Sequence, residues 1–267
     1  MKKFPRISAA LNALPWAIEP RALDVLCAIV DKHIAGEEPA AVQPRTNEPE
    51  IYGSIAIVPI RGPIVPRASL MSAMSGATSS EDIAQSVAWA ANNDDIGAIV
   101  LDIDSPGGSV IGAFETADVI FEARKQKRVM ASINGVGASL AYLYASQADE
   151  VFASRGSHVG SIGVIARYMD DSRAEKNEGV DTITVASSPR KANSGMTPEQ
   201  IREQMKSEVD RLFGMMKEAI SRSRAGMDMF AVATGDVWVA DEAEQLGLVD
   251  RIATLDEIIR DAKNVLT

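Results

Sequence analysis

Cysteine occurs once in the 267 residues, at Cys27 inside the apolar run LDVLCAIV, so no disulfide can close within the chain. Nothing therefore points to an oxidising compartment, and Cys27 reads as a packing residue of a helix. Cationic residues are also short: 27 Lys and Arg stand against 37 Asp and Glu, a formal charge of −10. That balance argues against general binding to nucleic acid or to anionic membrane, both of which need a cationic surface. Long apolar runs are missing as well. No stretch reaches 18 uninterrupted apolar residues, so no membrane anchor is expected. Pro5, Arg6, Asn12 and Pro15 interrupt the mildly apolar start MKKFPRISAALNALPWAI. They argue against a signal peptide and make the cytoplasm the expected location.

What is present suits one large α/β domain with an appendage: 46% of residues are apolar and 24% charged. Residues 1–50 read as an N-terminal helical arm and linker. Pro20 stands near a helix start, Gly36 at its stop, and Leu23, Leu26, Cys27 and Val30 share an apolar face. The polar EEPAAVQPRTNEPE then reads as linker. Residues 51–267 form the body. Strand signals in YGSIAIVPIRGPIV, IGAIVLDID, RVMASIN, EVFAS, GSIGVI and DTITVAS alternate with helical segments. That alternation predicts right-handed βαβ crossovers and a mostly parallel sheet. The segment after residue 197 predicts one long amphipathic helix, with Ile201, Met205, Val209, Leu212, Met216 and Ile220 on one face.

Two segments carry chemistry. LDIDSPGGSV drives a buried strand into Gly107 and Gly108, and NGVGASLAYLYAS ends a strand in small residues before Ser139 opens a helix. A serine there is ordinarily an N-cap. It also sits where a nucleophile is useful, because the next backbone N–H, that of Leu140, has no intrahelical acceptor. An acyl-transfer site needs two donors on the developing oxyanion. Leu140 supplies one, and Gly107 or Gly108 the other. For the base, histidine offers only His33, on the arm, and His158; the other choice is Lys191, beside Arg190 in SSPRKANSG. A basic lysine must be neutral, through burial or a neighbouring cation. Read alone, Lys191 is a solvated loop lysine.

In order, DIDSPGGSV, the serine-opened helix and GSIGVI resemble the signal peptide peptidase A family, serine proteases of the Clp/crotonase-like fold, over about residues 52–262. In single-domain members the base lysine follows the nucleophile by 52 residues, the interval from Ser139 to Lys191. A serine 22 residues after the nucleophile orients that lysine, which lands on Ser161. The resemblance thus implies a Ser139–Lys191 dyad oriented by Ser161, with no cofactor and no metal. Cellular members carry Gly-Gly after the serine; here Leu140-Ala141 stand there, which implies an altered substrate groove. The arm, ALPWAIEPRALDVLCAIV, is similar to that of phage capsid assembly (prohead) proteases, which lack a membrane anchor. Homo-oligomers, action on capsid scaffold or portal proteins, and a location in the host cytoplasm or prohead follow as expectations. Other readings stay open: a soluble cellular relative, a catalytically silent scaffolding subunit, or an acyl-CoA enzyme of the crotonase type.

Overall fold

The computed structural model describes residues 15–35, 48–68, 76–168 and 196–266, with isolated positions between 177 and 188. Strand β1 (Trp16–Ile18) is buried throughout and runs straight into helix α1 (Pro20–Ala35). Proline suits a first helical turn, where its missing N–H has no partner to lose. Glu19 closes that turn by accepting from the Ala22 N–H at 3.0 Å.

The body opens with exposed β2 (Glu50–Tyr52), buried β3 (Ile55–Arg61), and two short strands, β4 (Ile64–Val65) and β5 (Thr78–Ser79). Ser79, one of the two candidate caps that TSSED offers beside Ser80, caps α2 (Ser80–Asn92) by accepting from the Asp82 N–H at 3.2 Å. Then come β6 (Ala98–Ser105), β7 (Gly107–Ser109), α3 (Ala113–Ala123) and β8 (Arg128–Ala138). Helix α4 (Leu140–Ser146) has all seven residues buried and is followed by β9 (Glu150–Ala153) and β10 (His158–Gly160). The long helix α5 (Pro198–Ser223) starts from a capping box of Thr197 and Gln200. The chain closes with α6 (Met229–Val232), β11 (Val237–Val239), α7 (Ala240–Gln245), β12 (Arg251–Ile252) and α8 (Leu255–Leu266).

The main sheet runs β11-β10-β8-β6-β3-β2, with β9 paired to β8 and β12 to β9. Every interior pairing is parallel, and only the edges β2 and β11 are antiparallel. The chain is thus an α/β protein with a mostly parallel sheet. Alternation along β6 feeds two cores: Ile99, Leu101 and Ile103 face the core shared with α2, α3 and α4, whereas Ala98 and Val100 meet Ile258, Ile259 and Ala262 of α8. A smaller sheet, β1-β7-β4-β5, lies at the end of β6. No helix among the described residues is long and apolar enough to cross a membrane.

One strand reading differs from the structure. The strand expected in GSIGVI lies earlier, at His158–Gly160, because Ser161 turns to φ 50° and leaves the ladder. DTITVAS falls outside the described residues, apart from isolated positions.

Helix α4 buries two phenols. The Tyr144 hydroxyl lies 2.8 Å from Ser80 Oγ, and Tyr142 donates to the Leu248 carbonyl at 3.0 Å. Burial pushes Tyr144 up to about 12 and Tyr142 in the same direction, against the pull of the Ser80 contact on Tyr144. An unfolded tyrosine titrates near pH 10. Above that, the unfolded chain releases protons that the native state keeps, so these phenols' contribution is intact below pH 10 and lost toward pH 12. The urea midpoint of the wild type should therefore fall more steeply from pH 10 to 12 than that of a Tyr142→Phe/Tyr144→Phe double variant.

Candidate active site

Strands β6 and β8 pair in register from Ala98–Arg128 to Ile103–Ile133, and then slip, so that Ser105 pairs with Gly137. Residues 134–136 of β8 thus stand opposite Asp104 alone. Such a bulge leaves ladder groups without strand partners. Side chains replace them: Asp104 Oδ1 accepts the Val136 N–H at 3.0 Å, and Ser157 Oγ accepts the Gly135 N–H at 3.2 Å while donating to the Ile133 carbonyl at 2.9 Å. Gly135 sits at φ 124°, and a Cβ there would lie 2.4 Å from Asp104 Oδ1, so only glycine admits the carboxylate. Before the bulge β8 pairs with β9; after it, Val136–Ala138 pair with β10. The bulge therefore bends the strand onto a new neighbour and delivers Ser139 beside it.

Ser139 occupies the N-cap position of α4 without capping it. Its backbone is at φ 56°, ψ −115°, and no side-chain cap bond forms. Instead its N–H donates to the Gly160 carbonyl at 2.7 Å and its hydroxyl to the Gly163 carbonyl at 3.2 Å. Ser161 is held at φ 50°, with its N–H on the Asp236 carbonyl at 2.5 Å. Among the described residues these two serines are the only non-glycine positions with positive φ. Both are buried. Such conformations are retained where the surroundings enforce them, characteristically at functional sites.

The two glycines have different jobs. At Gly108 a Cβ would stand 1.9 Å from the Ile64 carbonyl oxygen, so its smallness serves the close pairing of the small sheet. At Gly107, φ 97°, a Cβ would stand 3.0 Å from the Leu140 nitrogen and 2.9 Å from the Ala138 oxygen. Gly107 is therefore the one that closes on the residues flanking Ser139. Its N–H donates to Ser105 Oγ at 3.2 Å. Leu140 is the first residue of its helix, so its N–H lacks an intrahelical acceptor. The side chains of Leu140 and Ala141 are fully buried in the main core, which corrects the expectation that they reshape a substrate groove.

Ser139, Leu140, Gly107, Gly108 and Ser161 thus converge on one corner. Lys191 lies outside the described residues. His158 is exposed at the first position of β10, opposite Val136 and Val239, and His33 lies on α1. Sequence reasoning missed Asp104, Ser157 and Gly163. The signal for the first two was the glycine pair in NGVG, since glycines inside a strand pattern mark a bulge.

A model of peptidase family S49 matches residues 122–266. Capsid assembly protease C of Escherichia phage lambda is 27% identical over 260 residues, covering 94% of this chain and 58% of that protein. Head-tail preconnector protein GP5 of Enterobacteria phage P21 is 29% identical over 240 residues, covering 88% and 46%. The probable protease SohB of Haemophilus influenzae is 28% identical over 165 residues, covering 60% and 47%. The chain thus spans about half the length of these relatives. Among solved structures, a point mutant of ClpP1 from Listeria monocytogenes aligns at TM-score 0.47 with 17% identity over 77% of this chain and 93% of that one. An enoyl-CoA hydratase/isomerase family member aligns at 0.46 with 15% identity over 84% and 76%.

The packing at the glycines is testable by chemical denaturation. Gly108→Ala should cost about 3 kcal/mol, the upper part of the range for overpacking, because its clash is with backbone. Gly156→Ala, with open space around its Cβ, should stay within about 0.5 kcal/mol of wild type.

Proposed function

The chain belongs to peptidase family S49, and from that premise we propose that it is a serine endopeptidase with Ser139 as nucleophile and Lys191 as general base. The observation that carries the reading is the backbone of Ser139: a serine that declines its cap bond and holds φ 56° has been placed for something other than helix stability.

In this reading neutral Lys191 takes the hydroxyl proton as Ser139 Oγ attacks a peptide carbonyl. The oxyanion is received by the Leu140 N–H and by a glycine N–H, with Gly107 favoured by its closeness to the Leu140 nitrogen. In the resting state the Gly107 N–H rests on a neutral hydroxyl, a weaker acceptor than an oxyanion. Lys191 then protonates the leaving amine, and water hydrolyses the acyl-enzyme. Ser161 is a positioning residue for the lysine, its backbone pinned by Asp236.

Substrates in this reading are proteins, and the capsid-assembly type, acting on scaffold and head or portal proteins as a homo-oligomer in the host cytoplasm or prohead, is the preferred form. It is supported by the reach of the lambda match, 260 residues, against 165 for the Haemophilus SohB.

Hydrolysis of casein measured from pH 6 to 10 tests the chemistry. Activity should rise with pH as the lysine loses its proton, and Ser139→Ala and Lys191→Ala should each lower kcat at least about a thousandfold. His158→Ala should leave the rate unchanged. Activity lost in His158→Ala but kept in Lys191→Ala would mean that histidine is the base.

A further inference from the structure

Strand β1 lies between the two segments that flank the nucleophile. On one side it pairs antiparallel with β7, setting Trp16 against Ser109, Ala17 against Gly108 and Ile18 against Gly107. On the other, Trp16 and Ile165 exchange both backbone hydrogen bonds at 2.8 Å. Gly107 adjoins the Leu140 nitrogen, and Gly163, two residues before Ile165, accepts the Ser139 hydroxyl. Trp16–Ile18 therefore bridges the walls of the cleft that holds Ser139, through main-chain groups on both edges. Because backbone groups alternate along a strand, Ala17 turns its N–H and C=O toward Gly108. Its oxygen would lie 2.3 Å from a Cβ at Gly107.

An extended peptide that adds itself to open strand edges binds in this manner, with main-chain bonds on each side. We propose that residues 16–18 are an intramolecular occupant of the peptide-binding cleft, a strand that substrate must displace before Ser139 can act. The inference rests on Ser139 being the nucleophile.

Three features fit a displaceable occupant better than a fixed wall. Apart from the small side chain of Ala17, which packs into the main core, the apolar side chains of the arm form their own cluster, in which Trp16, Ile18 and Leu23 pack with Ala22, Leu26 and Cys27, and Ile165 is the one contribution from the body. Leaving the cleft thus keeps most of that cluster intact. Among the described residues, the polar attachments are the strand pairings, the Glu19 N–H on the Pro106 carbonyl at 2.8 Å and the Arg167–Asp24 ion pair at 2.7 Å, which is partly solvated, besides a further contact of Trp16. Beyond Ile18 the chain turns into α1 instead of continuing extended past Ser139. Among the described residues, the half of the cleft that precedes a scissile bond is thus the one that is filled, and it is filled by a tethered segment.

Full-length protein treated with a fluorophosphonate probe tests this. Trp16→Pro removes the N–H given to Ile165, and Ala17→Pro the one facing Gly108. Both should acquire label on Ser139 at least threefold faster than wild type, and the free peptide LPWAIEP should slow them again. Trp16→Ala keeps the backbone and should accelerate labelling in the same direction, so it decides if a proline variant fails to fold. Equal rates in wild type and folded variants overturn the occupancy and leave Ser139 as nucleophile. Label that persists in Ser139→Ala overturns the nucleophile instead. If wild type takes no label, amide exchange at Trp16 decides: excess LPWAIEP should speed it at least threefold, and unchanged exchange overturns the proposal.

Discussion

The slip between β6 and β8 is the constraint on which the rest of the site depends. With Ile103 opposite Ile133 and Ser105 opposite Gly137, β8 cannot continue straight beside β9 and crosses to β10. Without the surplus residues, Ser139 would lie further along β9's side of the sheet, away from Gly160 and Gly163. The device works because its loose ends are tied. Asp104 and Ser157 supply side-chain partners to the N–H groups of Val136 and Gly135. These bonds lie at the partly exposed end of the sheet, so their part is less to offset desolvation than to fix the direction in which β8 leaves the bulge.

A second demand comes from the left-handed backbones of Ser139 and Ser161, each costing about 1–3 kcal/mol. The surroundings hold them by clamping α4 at both ends. At its start, Ser139 bonds the Gly160 carbonyl; at its finish, Gln147 Oε1 accepts from Arg222 Nε at 3.0 Å, Arg222 Nη2 at 2.9 Å and Ser223 Oγ at 3.0 Å. Gln147 Nε2 donates to the Ala219 carbonyl at 3.1 Å, so the same residue ties α4 to two turns of α5. A helix buried on all sides has no solvent face along which to shift. The rigidity that stabilises the core is thus what keeps Ser139 in its unfavourable conformation.

Legibility in the sequence followed the range of the forces involved. The cap of α2, narrowed to Ser79 or Ser80, and the start of α5 near 197 were readable because capping is local. The alternating strand and helix signals sufficed for a parallel sheet, since a buried strand such as 98–105 opens with the run Ala98–Leu101, apolar on both faces, before its two aspartates. Ser139, Leu140 and the glycine pair were placed from their spacing against helix and strand ends. Strands β1 and β7 escaped notice because three residues carry no period, and their pairing joins positions about ninety apart in the chain. Asp104 looked like one more residue of an alternating strand; its role exists only after β8 has slipped beside it. Ser161 was assigned to a strand from its β-branched neighbours, whereas the pull of the Asp236 carbonyl on its N–H takes it out of the ladder.

The position of β1 bears on how such a cleft discriminates. In the proposed function, recognition through the backbone of Ser109, Gly108 and Ile165 would be indifferent to most side chains, so selectivity would have to come from elsewhere. A strand tethered next to its own cleft competes at an effective concentration on the order of millimolar. Free peptides at micromolar levels lose that competition unless they bind far more tightly, whereas chains held at high local density near the cleft do not. An occupant of this kind makes local concentration, rather than a side-chain pocket, the quantity that decides when Ser139 meets a substrate.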